Sequence, residues 1–119
     1  AESRGFLLGM PIAYNMNLPF LPVRKKGKLP CETIEESYDL EYGSATIEID
    51  KSGIKKGDRV VLIDDLIATG GTMQAACRLI ERLGGTVEGI VALIELTDLK
   101  GRDVLSSYRV ESVVKYEGE

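Results

Sequence analysis

The run Val60-Val61-Leu62-Ile63 is followed at once by Asp64-Asp65 and, a few residues later, by Gly70-Gly71 and a segment of helical periodicity. An unbroken β-branched stretch with no polar alternation reads as a strand buried on both faces, the situation in a parallel sheet. Over residues 72–83, Met73, Ala76, Cys77, Ile80 and Leu83 share one stripe, and Gly84-Gly85 ends the helix. A second apolar segment at 87–96 completes a strand, helix, strand unit. Parallel strands need such a crossover, and it is right-handed. This feature commits the chain to an α/β fold around an open, mostly parallel sheet.

With 119 residues the chain forms one domain, 1–119, around one core. Its 44% apolar and 29% charged residues suit a globular protein, and no apolar run approaches the roughly 18–20 residues that span a bilayer. The opening Ala1-Glu2-Ser3-Arg4 has neither the basic leader nor the apolar stretch of a secretory signal, so the cytosol is the expected location. Fifteen basic against nineteen acidic residues, a net charge of −4, argue against wrapping nucleic acid, so an anionic ligand must be met by local charge. The absence of histidine excludes His-based catalysis and most zinc frameworks. Cys77, on the helix stripe, is expected in the core, and Cys31 is expected as an incidental loop thiol, both reduced.

Upstream, residues 5–16 place Phe6, Met10, Ala13 and Tyr14 on one helical stripe, with Pro11 implying a start or kink nearby. Residues 20–23 read as a short apolar strand, and the basic segment Arg24-Lys25-Lys26-Gly27-Lys28-Leu29-Pro30 as a surface loop. Alternation on both sides of Gly43-Ser44 predicts a β-hairpin over 38–49. A polar link at 50–58 leads to the first buried strand; a helical turn at 102–105 and a last strand at 108–116 close the chain. Tyr14 and Tyr38 are read as packing residues.

The strongest chemical signal is VVLIDDLIATGGT, residues 60–72. In an open parallel sheet, ligands gather at the carboxyl ends of the strands, where a glycine turn opening a helix presents unpaired N–H groups and the positive end of the helix dipole. Gly70 and Gly71 permit positive φ and close approach of an anion, and Thr69 and Thr72 add hydroxyl donors. The loop is neither a Walker A sequence nor the dinucleotide fingerprint, so an ATPase or a Rossmann dehydrogenase is disfavoured. Asp64 and Asp65 would repel a phosphate aimed at them, so their partners are hydroxyls or a divalent cation. A sugar phosphate satisfies both halves of the motif.

Asp64-Asp65 followed by Ala68-Thr69-Gly70-Gly71-Thr72 resembles the signature with which type I phosphoribosyltransferases bind 5-phosphoribosyl-1-pyrophosphate (PRPP). Ser3-Arg4-Gly5-Phe6, the RKKGKLP segment, Leu40-Glu41-Tyr42-Gly43, Glu95-Leu96-Thr97 and Leu99-Lys100-Gly101-Arg102 are similar to the adenine phosphoribosyltransferases of that family. The resemblance implies the reaction adenine + PRPP giving AMP + pyrophosphate, with Mg²⁺ bound through PRPP near Asp64 and Asp65. It implies that Ala68, Thr69, Gly70, Gly71 and Thr72 hold the 5′-phosphate and that Asp64 and Asp65 hold the ribose. Arg4, Arg24 and Lys28 would face pyrophosphate, where positive charge is needed as the leaving group forms. It also implies a catalytic lid hairpin at about 25–50 carrying Glu41 as acid/base and Tyr42 beside it, a cis peptide between Glu2 and Ser3, and a homodimer. The family's first core strand and base-covering hood have no counterpart here, so an N-terminally truncated chain with an open sheet edge is expected. The competing readings are a transferase for another base and a non-catalytic module sensing PRPP or a purine.

Overall fold

The computed structural model describes residues 1–40 and 42–117. Its larger layer is a parallel sheet of β4 (Arg59–Ile67), β5 (Thr86–Leu96) and β6 (Val110–Tyr116) in that order, built on the predicted crossover through helix α2 (Gly71–Arg82). Between β5 and β6 the chain makes a 3₁₀ turn, Thr97–Leu99, and a short helix α3, Gly101–Val104. The register sets Leu62 beside Ile90 and Ile67 beside Glu95.

Helix α2 buries more than its predicted stripe. Ala75 and Leu79 are fully buried alongside Met73, Ala76, Cys77 and Ile80, because the helix is covered on two sides. One side meets the parallel sheet and the other meets a second, antiparallel sheet. Burial pushes the Cys77 thiol up to about 12, so this residue is an inert core group. The helix stops in a reciprocal cap: Gly84 N–H donates to Glu81 and Gly85 N–H to Ile80, both at 3.0 Å, with Gly84 at φ +92°.

The expectation that the first strand is buried on both faces needs correction. Leu62, Ile90 and Ala92 are buried, whereas Val61 is 54% exposed and Val113 73% exposed. Among the described residues β4 is an edge strand and only one face of the sheet is packed over its length. An apolar run does not distinguish a covered face from one left open.

The second sheet contains β1 (Arg24–Lys25), β2 (Thr33–Asp39) and β3 (Ser44–Asp50) in the order β1-β3-β2, all antiparallel. The predicted hairpin is present and extends further toward the N-terminus, pairing Thr33 with Asp50 and Asp39 with Ser44. The predicted strand at 20–23 is not formed. Pro19 precedes it and Pro22 lies within it, both without N–H donors, so Leu21 and the buried Val23 pack as loop residues, and laddering begins in the basic segment at Arg24. The rest of that segment is a turn held from below: the buried Glu48 carboxylate accepts Gly27 N–H at 3.0 Å and Leu29 N–H at 2.9 Å.

Helix α1 (Phe6–Asn15) runs through Pro11. The carbonyl that loses its partner belongs to Leu7, which is exposed, so solvent can replace the missing donor. The predicted stripe holds in part: Ala13 is buried and Phe6 half-buried, but Gly9 is buried in place of Met10, and Tyr14 is exposed and no packing residue. Gly9 sits under Phe20, whose ring also meets Phe6 edge-on at 5.9 Å; a Cβ there would lie 2.9 Å from Phe20 Cε1, so any larger residue would have to displace the ring.

Candidate active site

Strand β4 delivers Asp64 and Asp65 before its end, and residues 68–70 turn directly into α2. Gly70 adopts φ +89°, which lets the chain reverse sharply and aim successive N–H groups at one point. The first helix amide with a partner is that of Gln74, donating to Gly70 at 2.9 Å. Among the described residues the amides from Thr69 to Met73 have none. The turn therefore has the uncommitted donors that an anion requires, at the positive end of a twelve-residue helix. It opens on a cleft of about 990 Å³ lined by the loop, both aspartates, the first four residues and Tyr38.

Tyr38 is a site residue that sequence reasoning missed. Thr72 Oγ1 donates to Tyr38 Oη at 2.9 Å, and the Tyr38 ring lies against Gly71. One of the two predicted hydroxyl donors is thus tied to the hairpin. The available signal was the period of β2: Ile34, Glu36 and Tyr38 share the half-buried face that packs on α2, while Glu35, Ser37 and Asp39 are exposed.

The two aspartates differ. Asp64 is 8% exposed, and burial pushes its carboxyl up to about 6 against the opposing pull of the Asp65 N–H, which donates to its Oδ1 at 2.8 Å. Asp65 is more open and pairs with Arg4 Nε at 2.7 Å, so a residue expected to face the ribose meets one expected to face pyrophosphate. Arg24 and Lys28 also converge, through a residue that went unnoticed. Glu2 accepts Arg24 Nε at 3.2 Å, Lys28 Nζ at 2.8 Å and the Lys25 N–H at 3.0 Å. Its burial would raise its carboxyl, but these three donors outweigh that and hold it at about 2. The Glu2–Ser3 peptide is cis, as the resemblance implied. Arg4 lines the cleft, whereas Arg24 and Lys28 are not among its lining residues and are joined to it through Glu2, which is; each of the three is balanced by a carboxylate.

Tyr42, 87% exposed on the hairpin turn, is not among the residues lining the cleft. Glu41 lies outside the described residues. Among the described residues no three acidic or thiol side chains converge to form a metal cage. The two adjacent carboxylates at Asp64 and Asp65 are the sparse donor set on which Mg²⁺ commonly rests when a phosphate ligand supplies the remaining oxygens.

Residues 2–117 match the model of the phosphoribosyl transferase domain. An adenine phosphoribosyltransferase of Agathobacter rectalis is 62% identical over all 119 residues, which span 68% of that protein. The crystal structure of adenine phosphoribosyltransferase from Thermoanaerobacter pseudethanolicus superposes with a TM-score of 0.95 at 51% identity, over 97% of this chain and 67% of that one. The enzyme of Trypanosoma brucei, crystallised with AMP, pyrophosphate and ribose-5-phosphate, gives a TM-score of 0.87 at 36% identity, over 96% of this chain and 53% of its own. Taken with the geometry of the cradle, these likenesses show that the chain belongs to the phosphoribosyltransferase family, among the adenine phosphoribosyltransferases.

Proposed function

We propose that the chain works in purine salvage, transferring the 5-phosphoribosyl group of PRPP to adenine to give AMP and pyrophosphate. The observation that carries this reading is the row of uncommitted amides from Thr69 to Met73, opening on a cleft that Asp64, Asp65 and Arg4 also line. The 5′-phosphate sits in the cradle formed by Ala68, Thr69, Gly70, Gly71 and Thr72, where N–H dipoles and the helix end stabilise it without a positive side chain. Asp64 and Asp65 accept the ribose hydroxyls. Asp64 and Asp65 are the residues that would hold Mg²⁺ together with PRPP, and the ion would supply neutralisation of the leaving group's charge.

In the chemical step an adenine ring nitrogen forms the bond to ribose C1 as the bond from C1 to the pyrophosphate oxygen breaks, its electron pair leaving with pyrophosphate. Arg4, Arg24 and Lys28 meet that growing charge, exchanging their present carboxylate partners Asp65 and Glu2 for the leaving group. Glu41 takes the proton that adenine loses, and the hairpin carrying it and Tyr42 closes over the site to exclude water. Tyr38 ties this hairpin to the cradle through Thr72.

The exposed apolar side chains of α1, Leu7, Met10 and Tyr14 among them, support a homodimer. Both cysteines are free, as suits a reducing compartment and a cytosolic location, and no helix among the described residues is long and apolar enough to cross a membrane. The direct test is pyrophosphate release from PRPP and Mg²⁺ with adenine, hypoxanthine or orotate in parallel, together with calorimetric titration of AMP. Release with adenine alone and saturable AMP binding are expected. Release with another base but not adenine, or no binding of AMP, would overturn the reading.

A further inference from the structure

Glu95, near the end of β5, is 3% exposed and has no part in the chemistry above. Arg102 Nε donates to both its oxygens, at 3.0 and 2.8 Å, and the Ser112 hydroxyl donates to one of them at 2.7 Å. Arg102 Nη1 donates in turn to the Val110 carbonyl at 2.8 Å, so the cluster joins β5, α3 and β6. A carboxylate withdrawn from water with all its partners in place is costly to unpair, and it fixes the backbone to which those partners are attached.

That backbone is the support of the cradle. Gly101, next to Arg102, is packed so closely beneath the loop that a Cβ on it would lie 2.7 Å from the Ala68 carbonyl oxygen and 2.7 Å from Ile67 Cγ2. A Cβ on Gly70 would lie 3.0 Å from the Gly101 carbonyl oxygen. The approach is glycine to glycine, and it is reached through Lys100 at φ +56°, a conformation that L-residues seldom adopt. The register places Glu95 beside Ile67, at the level where β4 passes into the cradle.

We propose that Glu95, Arg102 and Ser112 are positioning residues for the phosphate cradle. They hold Gly101 as a fixed backstop, so that the amides following Ala68 stay aimed at one point before any ligand arrives. A preorganised set of donors binds without first ordering itself, which is where the benefit lies. For its ligand the inference rests on the phosphate reading above; for the rigidity of the loop it does not.

Two measurements on the full chain separate those parts: backbone amide order parameters from nitrogen-15 relaxation, and calorimetric titration with ribose 5-phosphate. In Arg102→Ala, the order parameters of Gly70 and Gly71 should fall from about 0.85 toward about 0.6 while those of Ile90 and Ala92 hold. The dissociation constant for ribose 5-phosphate should rise at least about fivefold. Unpairing Glu95 could prevent folding, so Arg102→Lys and Ser112→Ala serve as milder variants, each with the same pattern at smaller amplitude. Unchanged order parameters at Gly70 and Gly71 in a folded variant would overturn the proposal. Loosening shared equally by Ile90 and Ala92 would also overturn it, because the cluster would then merely hold the sheet. If the unaltered chain does not bind ribose 5-phosphate, the functional reading falls and the order parameters alone decide the positioning role.

Discussion

Replacing Gly70 with alanine should destabilise the fold and weaken AMP binding, and the two effects can be separated by a matched control. Gly70 and Gly57 both have φ +89°, so alanine at either position meets the same left-handed penalty, about 1–2 kcal/mol. Nothing lies within 4 Å of a Cβ on Gly57. A Cβ on Gly70 would meet the Gly101 carbonyl oxygen at 3.0 Å and Gly101 Cα at 3.3 Å, both backbone atoms that cannot swing aside. That overpacking should add about 1 kcal/mol or more, bringing Gly70→Ala to roughly 2–3 kcal/mol against 1–2 for Gly57→Ala. Urea denaturation followed by far-ultraviolet circular dichroism gives the difference, with slope m checked for constancy. Calorimetry should show AMP affinity lowered about tenfold or more in Gly70→Ala, equivalent to about 1.4 kcal/mol, and unchanged in Gly57→Ala. Equal destabilisation of the two variants would refute the close-approach argument. Undiminished AMP affinity in Gly70→Ala would refute the cradle itself.

Three further outcomes are expected. Glu2 is held at about 2 in the folded chain against an ordinary 4.5, so the stability it contributes is complete above about pH 4.5 and is lost as pH falls toward 2. Discounted for solvent screening this is about 1–2 kcal/mol, and Glu2→Gln should remove that limb of the acid unfolding profile. Asp64 is the opposite case: its carboxyl is raised from 3.8 to about 6, so the folded state resists its ionisation and stability declines as pH climbs through that interval. Asp64→Asn should abolish the decline, gaining up to about 3 kcal/mol at pH 7 in thermal unfolding while weakening ribose 5-phosphate binding; a loss of stability at pH 7 would contradict the desolvation argument. Glu41→Gln should lower kcat by about a hundredfold or more with little change in PRPP affinity, and equal losses in both would remove its acid/base role.

The parallel unit was legible because its signals agree: an apolar strand, two glycines opening a periodic helix, two more closing it, and a second apolar strand. The glycine turn that opens α2 was legible for the same reason, since Gly70 takes a positive φ and the sequence offers glycine there. Roles that depend on meetings between distant segments were not. Glu2 looks like any exposed acid until the first loop is laid beside β1, where it gathers Arg24 and Lys28. Tyr38 looks like a strand aromatic until the hairpin rests on α2 and its hydroxyl reaches Thr72. On α1 the stripe holds at Ala13 but not at Met10 and Tyr14, because helical periodicity marks apolar residues, whereas closeness to Phe20 selects the smallest one, Gly9. The strand placed at 20–23 failed because composition outweighed Pro19 and Pro22 in the reading, although the backbone obeys the prolines.

Helix α2, buried against both sheets, has a further consequence for the way the molecule is assembled. The antiparallel sheet is drawn entirely from the chain before Lys51 and the parallel sheet entirely from the chain after it, with Lys51 and Ser52 exposed between them. A protease cut at that link would sever the covalent path while leaving intact the apolar seam formed by Ala75, Leu79 and their neighbours. The two pieces would stay docked like halves of a hinge around its pin, and a split-fragment complementation assay could read phosphate capture at one end of that pin as reunion of the halves.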